Sequence, residues 1–278
     1  MIIWIASYPK SGNTWIRSLI SSYYYSEDGS FDFKLLENIS QYPGPKFIKE
    51  KITKPGEVSL YWKSSQDEII KNNKNIFLKT HNAMISLNRN FFTSEISSLG
   101  AIYIVRDPRN IITSLKNHYN FGDYKSSLEF MKSEKKYIWD ERLKNDYTGF
   151  QFLGSWSKHY KSWLDNKNFK IFFLKYEELE KNTQSIFYEM IKFINFLKKD
   201  KTKISKKKLV NCIDSTKFNL LKKKENEYGF PENISMNHEK KVDFFNLGPE
   251  NKWEKKLSKG VLLEANNIFK EDLKFLKY

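Results

Sequence analysis

Short apolar runs alternate with stretches of helical periodicity along most of the chain. Residues 1–6 are uninterrupted apolar sequence that breaks at Ser7-Tyr8-Pro9-Lys10, and residues 14–25 then carry apolar positions at helical spacing. The chain therefore opens as strand, loop, helix. Residues 75–80 predict a second strand and residues 101–105 a third, bounded by Arg106-Asp107-Pro108 and followed by a helix over 109–119. Trp156, His159, Tyr160 and Trp163 fall at i, i+3, i+4 and i+7, one face of a helix. Residues 170–175 predict a fourth strand, with one long amphipathic helix running on from Tyr176-Glu177-Glu178 through Phe196. A basic helix after Lys198, a loop-like stretch over 225–250 and a closing helix complete the pattern. Residues 40–66, rich in proline and turn signals, predict an irregular insertion, and 120–150 a mobile excursion with some helix.

Strands alternating with helices predict an α/β fold: one domain over residues 1–278, in which a central, mostly parallel sheet is flanked by helices in three layers. Ligands of such sheets bind beyond the carboxyl ends of the strands. Lys10, His81, Arg106 and Tyr176 stand at those ends in the four runs.

Composition narrows the class. Hydrophobic residues make up 40% and aromatics 16% of 278, enough for a sizeable core and unlike a disordered chain. Forty-eight Lys and Arg against 33 acidic residues leave +15, which favours an anionic partner without choosing among nucleic acid, an acidic membrane and a phosphorylated or sulfated ligand. The lysine runs at 206–208 and 222–224 read most simply as solvated helix faces. The one cysteine, Cys212, excludes an internal disulfide and a cysteine-rich zinc site, and its apolar neighbours make it helix filler. No stretch reaches the roughly 18–20 apolar residues of a membrane span, and the first apolar run is too short for a secretory signal. A soluble, cytoplasmic protein is expected.

The first residues with chemistry are Tyr8-Pro9-Lys10-Ser11-Gly12-Asn13-Thr14-Trp15. A strand passing through a glycine turn into a helix aims backbone N–H groups and the positive helix end at an anion. Lys10 adds a point charge; Ser11 and Thr14 add hydroxyls. This differs from the nucleotide-hydrolase loop, where glycines precede Lys-Ser/Thr. Arg106 is suited to bidentate phosphate recognition, and Ser114, two turns into the next helix, is placed to point back to it. His81 follows Lys79-Thr80 at a strand end; a lone histidine there is more often structural, as His159 on its aromatic face is read to be. His118 and His238 have no supporting pattern.

Taken together, these blocks resemble the cytosolic sulfotransferase family. The 8–15 segment looks like its 5′-phosphosulfate loop, Lys79-Thr80-His81 its Lys-Thr-His, and Arg106 with Ser114 its 3′-phosphate pair. Gly154-Ser155-Trp156 with His159 and Trp163 is similar to a helix opening found there. Tyr176-Glu177-Glu178 resembles the block whose tyrosine meets adenine. Thr216 and Phe218 resemble its late adenine contacts, and Gly248 with Trp253 its last motif. The resemblance implies a P-loop-like fold and transfer of a sulfuryl group from phosphoadenosine phosphosulfate (PAPS) to an acceptor hydroxyl, in line and without a metal. It implies catalytic roles for His81 as general base and for Lys10, Lys79 and Ser114. The donor would be bound by Lys10, Ser11, Gly12, Asn13, Thr14, Trp15, Arg106, Ser114, Tyr176, Thr216, Phe218 and Gly248, with Trp15 and Phe218 enclosing adenine.

The closing motif departs from the family's. Asn246-Leu247 stand where an Arg-Lys pair usually precedes the glycine, and Asn251-Lys252 replace Gly-Asp before Trp253. Lys240, Lys241 or Lys252 would then complete the phosphate clamp, or the donor is held less tightly, or activity is lost. The family's dimerisation stretch is not recognisable in 254–264, so no oligomeric state is implied. The partner expected is a small-molecule hydroxyl acceptor, an alcohol or phenol, with a sugar or lipid left open. Tyr42, Phe47, Tyr61, Trp62, Phe121, Trp139, Phe150 and Phe152 would make its pocket apolar. A magnesium-dependent kinase-like enzyme and a basic nucleic-acid-binding protein are the rival readings. The first lacks a glycine-lysine-serine loop, and the second lacks any module signature.

Overall fold

The computed structural model describes residues 1–71, 74–230, 232 and 243–278. The chain begins with β1 (Ile2–Ser7), α1 (Asn13–Tyr25), 3₁₀ turns at Phe33–Asn38 and Glu57–Tyr61, α2 (Trp62–Ile70) and β2 (Ile76–Thr80). A ribbon of β3 (Ser86–Leu87) and β4 (Asn90–Phe91) precedes β5 (Ser98–Val105), α3 (Pro108–His118) and α4 (Tyr124–Lys132). A second ribbon, β6 (Tyr137–Ile138) with β7 (Gln151–Phe152), leads to α5 (Trp156–Leu164), β8 (Ile171–Lys175), α6 (Tyr176–Lys181) and α7 (Thr183–Lys198). There follow α8 (Lys206–Ser215), α9 (Phe218–Tyr228), 3₁₀ turns at Gly248–Glu250 and Trp253–Lys255, and α10 (Lys259–Ile268) and α11 (Lys270–Leu276).

The central sheet has the order β2-β1-β5-β8, every pair parallel. All six residues of β1 are buried, which explains why the run is apolar throughout rather than alternating: both faces of the strand are covered. Ile2, Trp4 and Ala6 join one core with Ile111, Leu115, Trp156, Trp163 and Phe269, under α3, α5 and α10. Ile3 and Ile5 join the other with Ile16, Leu19, Phe187, Ile191 and Leu209, under α1, α7 and α8. Cys212 lies in this second core, and burial pushes its thiol up to about 12, as expected of filler.

Several elements differ from the sequence expectation. The long helix after β8 is two, α6 and α7, divided at Asn182 (φ −131°, ψ 46°). The closing helix is likewise two, divided at Phe269, whose buried ring meets Trp156 at 5.1 Å. α2 begins inside the segment read as irregular, because Trp62 is wholly buried and anchors it. The stretch read as a mobile excursion holds α4, whose Leu128, Phe130 and Met131 are buried. β5 starts three residues early and runs through Gly100, where a Cβ would come within 2.5 Å of Leu197. A tight helix–sheet approach, invisible in propensity, decides that strand. Among the described residues no helix is long and apolar enough to cross a membrane.

Candidate active site

The turn after β1 places a backbone cradle at the sheet's carboxyl edge. Gly12 takes φ +106°, and a Cβ there would stand 2.7 Å from the Tyr176 ring, so both its conformation and its neighbour require glycine. It precedes α1 with no side-chain cap, leaving the first N–H groups of that helix without a side-chain acceptor. Asn13 turns its amide back to the Ile5 carbonyl (3.1 Å) and Ser7 Oγ (3.2 Å), tying the helix start to β1. A cavity of about 870 Å³ opens in front of this turn. Lys10, Gly12, Asn13, Thr14 and Trp15 line it; so do Lys79, His81 and Arg106 from the ends of β2 and β5. Ser114, Tyr176, Thr216, Phe218 and Gly248 complete the wall. Of the donor-site residues expected from sequence, Ser11 alone is off the wall, its side chain fully buried. The Thr216 hydroxyl donates to the Cys212 carbonyl of its own helix at 2.7 Å, which leaves an oxygen lone pair, not a proton, for a ligand.

Cationic groups converge here with few anions to meet them. Arg106 is 8% exposed; its guanidinium stacks 4.1 Å from the Tyr176 ring centre, Nη1 donates to the Lys10 carbonyl at 3.2 Å, and Nε is buried without a partner among the described residues. Asp107, its sequence neighbour, instead clasps Arg109 at 2.7 Å. The Lys10 ammonium sits 4.1 Å from the Phe244 ring centre, and burial, reinforced by Arg106 and Lys79, lowers its pKa to about 7. Lys79 is different: Glu232 accepts from it at 3.0 Å and from Arg17, 2% exposed, at 2.7 and 2.9 Å. Burial lowers the Lys79 pKa, and Glu232 partly offsets this. Burial would raise the Glu232 carboxyl, but Lys79 and Arg17 outweigh it and hold the group ionised. Sequence reasoning missed Arg17 and Glu232; they lie 215 residues apart and no local pattern joins them.

His81 is held on three sides. Its N–H donates to Gln151 Oε1 (2.6 Å), its carbonyl accepts from His159 Nε2 (2.9 Å), and its Nδ1 lies 2.8 Å from the Ser7 carbonyl. A carbonyl only accepts, so Nδ1 carries the proton and Nε2 keeps its lone pair with no partner among the described residues. Burial, then the Lys79 charge, lowers the ring's pKa to about 3. His159 is structural: it accepts from Tyr103 Oη at 2.7 Å, and burial lowers its pKa to about 4.

His118, which no pattern singled out, also lines the cavity. It packs against Tyr119 (4.8 Å) and Phe244 (6.1 Å) and makes no ring hydrogen bond with any described residue. Burial lowers its pKa, and so do the nearby Lys10, His81 and Lys79. Of the eight aromatics expected around an acceptor, only Phe121 and Trp139 reach the cavity. Tyr42, Trp62 and Phe150 belong to the core, while Phe47, Tyr61 and Phe152 pack against it. Tyr119, Phe130 and Tyr137 take their places on the wall, with Tyr119 and Phe130 stacked at 5.1 Å. Lys252 is exposed and off the wall. Lys240, Lys241 and His238 lie outside the described residues.

A parallel sheet with a strand–turn–helix cradle at its carboxyl edge defines a P-loop-like α/β fold. A family model described as "Sulfotransferase domain" matches residues 2–277, and the chain belongs to the sulfotransferase family. Sulfotransferase 1B1 of Canis lupus familiaris is 28% identical over 224 residues, covering 78% of this chain and 65% of that relative. Sulfotransferase 1E1 of Homo sapiens is 26% identical over 206 residues, covering 70% and 58%. The chain thus spans less than two thirds of the length of these relatives. Mouse sulfotransferase SULT7A1 complexed with PAP has the same fold, with a TM-score of 0.59 and 19% identity over 98% of this chain and 84% of that one. Retinol dehydratase in complex with androsterone and inactive cofactor PAP aligns with a TM-score of 0.61 and 16% identity, over 98% and 80%.

The buried histidines set a stability profile. The folded pKa values of His81 and His159 lie below the unfolded value near 6.5, so on acidification the unfolded chain takes up protons first and gains on the folded state. Stability should fall from pH 6.5 to 5 by at most about 1.4 kcal/mol per pH unit for each such histidine. Urea unfolding at pH 7 and pH 5 checks this; equal stabilities would mean that the rings are not held neutral.

Proposed function

We propose that the chain, acting as one domain over residues 1–278, is a PAPS-dependent sulfotransferase that modifies an alcohol or phenol hydroxyl. The observation that carries the reading is the buried Arg106, whose Nε has no partner among the described residues, facing the same cavity as Lys10 and the uncapped start of α1. Such cations are costly to bury unless an anion joins them. A ligand with phosphate at both ends fits: Lys10 and the α1 N–H groups at one, Arg106 and Ser114 at the other, with Trp15, Tyr176 and Phe218 around a purine. The solved sulfotransferase and retinol dehydratase complexes with PAP support the same choice. When bound, the donor supplies a sulfuryl group, whose bond to the 5′-phosphate oxygen breaks as one to the acceptor oxygen forms.

The chain's own groups divide the remaining work. Lys10 and Lys79 hold positive charge where negative charge grows on the departing phosphate oxygen, a kind of stabilisation whose removal typically costs about 10²–10³ in rate. His81 Nε2 takes the acceptor proton. Burial keeps that nitrogen unprotonated in the open site, and the anionic ligand and forming alkoxide raise its basicity as the proton moves. Tyr119, Phe121, Phe130, Tyr137 and Trp139 offer a flat apolar wall suited to a phenol. The His118 ring lines the same cavity and makes no hydrogen bond with any described residue, which supports a second bond from it to the acceptor oxygen.

The first test is titration calorimetry with PAP beside AMP. PAP should bind more tightly, and above pH 7 its binding should take up a proton. The ligand's charge raises the Lys10 pKa from about 7, so a lysine that is largely neutral in the open site becomes ammonium. Affinity should therefore decline as pH rises past 7, and Lys10→Met should remove the buffer-dependent heat of proton uptake. Equal affinity for PAP and AMP would sink the donor assignment.

His81→Ala should lower turnover by about 10²–10⁴ while PAP binding persists; an active variant would exclude His81 as the base. His118→Ala should raise the KM for a phenol such as 4-nitrophenol about tenfold, the worth of one hydrogen bond, with PAP affinity unchanged. An unaltered KM would leave His118 without a part in acceptor binding.

A further inference from the structure

Asn251 is 5% exposed although it sits in irregular chain between two 3₁₀ turns. Its amide is wholly committed to α3. Nδ2 donates to the Asn110 carbonyl and to Ser114 Oγ, both at 2.9 Å, and Oδ1 accepts from Thr113 Oγ1 at 2.6 Å. The amide orientation is not arbitrary: turning it over would set its oxygen against the Asn110 carbonyl, which only accepts. Ser114 Oγ is therefore the acceptor in its bond with Asn251, and the serine's own proton remains to be placed. Inside a helix that proton ordinarily goes to the carbonyl four residues back. Here that carbonyl belongs to Asn110, which already accepts from Asn251 Nδ2; Thr113 Oγ1, its one proton given to Asn251 Oδ1, crowds the same oxygen at 2.8 Å. No described residue accepts from the Ser114 hydroxyl, and Ser114 is on the cavity wall.

We propose that Asn251 is a positioning residue for the 3′-phosphate of the donor: it holds Ser114 so that the hydroxyl proton is turned into the cavity as a ready hydrogen-bond donor. The inference rests on the PAPS reading and deepens it. Asn246 and Leu247 bring no cation to this side of the cavity. Among the described residues, recognition of the phosphate then falls on the Arg106 charge and on a hydroxyl whose direction is set before the ligand arrives. An oriented donor loses no hydrogen bond of its own when it meets the phosphate, whereas a serine bonded to its helix would have to break one. Asn251 itself borders the cavity, but both of its amide N–H groups are taken by Asn110 and Ser114, so it acts through Ser114.

The experiment is a double-mutant cycle read as the ratio of PAP to AMP affinity, with wild type, Ser114→Ala, Asn251→Ala and the double variant titrated by calorimetry alongside thermal unfolding. Ser114→Ala should reduce the ratio by about tenfold or more, the worth of one hydrogen bond to a charged group. Asn251→Ala should reduce it several-fold, and the double variant should be no worse than Ser114→Ala alone. Additive losses, or an Asn251→Ala variant that weakens PAP and AMP equally, would reduce Asn251 to a structural strut and overturn the proposal. If Asn251→Ala does not fold, Asn251→Ser, which keeps a polar group facing α3, enters the same cycle with the same criteria. A wild-type protein that binds PAP no better than AMP overturns the donor reading and this inference with it. A discriminating wild type with an additive cycle overturns the inference alone.

Discussion

Buried positive charge is the constraint around which the rest of this structure is arranged. Arg17, Lys79 and Arg106 are each less than a tenth exposed, and Lys10 joins them beneath Phe244. Water solvates the first three poorly, and among the described residues one carboxylate, Glu232, touches two of them. The protein manages the excess in different ways. Arg17 is neutralised by Glu232 and braced by the carbonyls of Leu36 and Ile39; Arg106 and Lys10 rest on aromatic faces, and Lys10 gives up part of its proton affinity. Among the described residues such an arrangement is under-neutralised, which is the electrostatic basis of the polyanionic donor proposed above.

That charge must be aimed, and the fold does the aiming through backbone groups as much as side chains. Parallel strands bring Lys10, His81, Arg106 and Tyr176 to one edge because each follows the carboxyl end of its strand. His81 shows how finely the position is set. The side chain of Gln151 from β7, His159 from α5 and the Ser7 carbonyl from β1 each take one of its polar groups. What remains is a single nitrogen lone pair. Trp163 adds a bond to the next carbonyl, that of Asn82, so α5 holds the end of β2 through two of its buried side chains. The helix whose aromatic face looks like ordinary core is thereby also the support of the histidine it packs behind.

The closing segment solves a different problem. Asn246 and Leu247 are themselves uncharged, and the Asn246 carbonyl accepts from Lys222 at 3.0 Å. Asn251 is bonded to three residues of α3, and Trp253 lies under the Arg109 guanidinium at 4.1 Å. Arg109 is in turn held by Asp107, so the segment is docked by polar contacts to one helix. Gly248, at φ +52° and with the Phe218 ring where a Cβ would be, lets the chain pass close to α9.

The sequence by itself determined the four strands of the sheet, the loop after β1 and the set of strand-end residues. These are local matters: apolar runs, turn residues and short motifs are contiguous, and a parallel sheet buried on both faces writes itself as uninterrupted apolar segments. The division of the helices at Asn182 and Phe269, the packed α4 and the early start of β5 were decided by tertiary fit. So were the partners of the charged groups, since Arg17 meets Glu232 and Thr113 meets Asn251 only once distant segments are folded together. The aromatic wall of the cavity illustrates the limit well. Tyr42, Trp62 and Phe150 are as aromatic as Phe121 and Trp139, and composition cannot say which ring faces a cavity and which fills a core. Aromatic side chains serve both ends with the same chemistry, and only the three-dimensional arrangement of helices around the sheet assigns each ring to one of them.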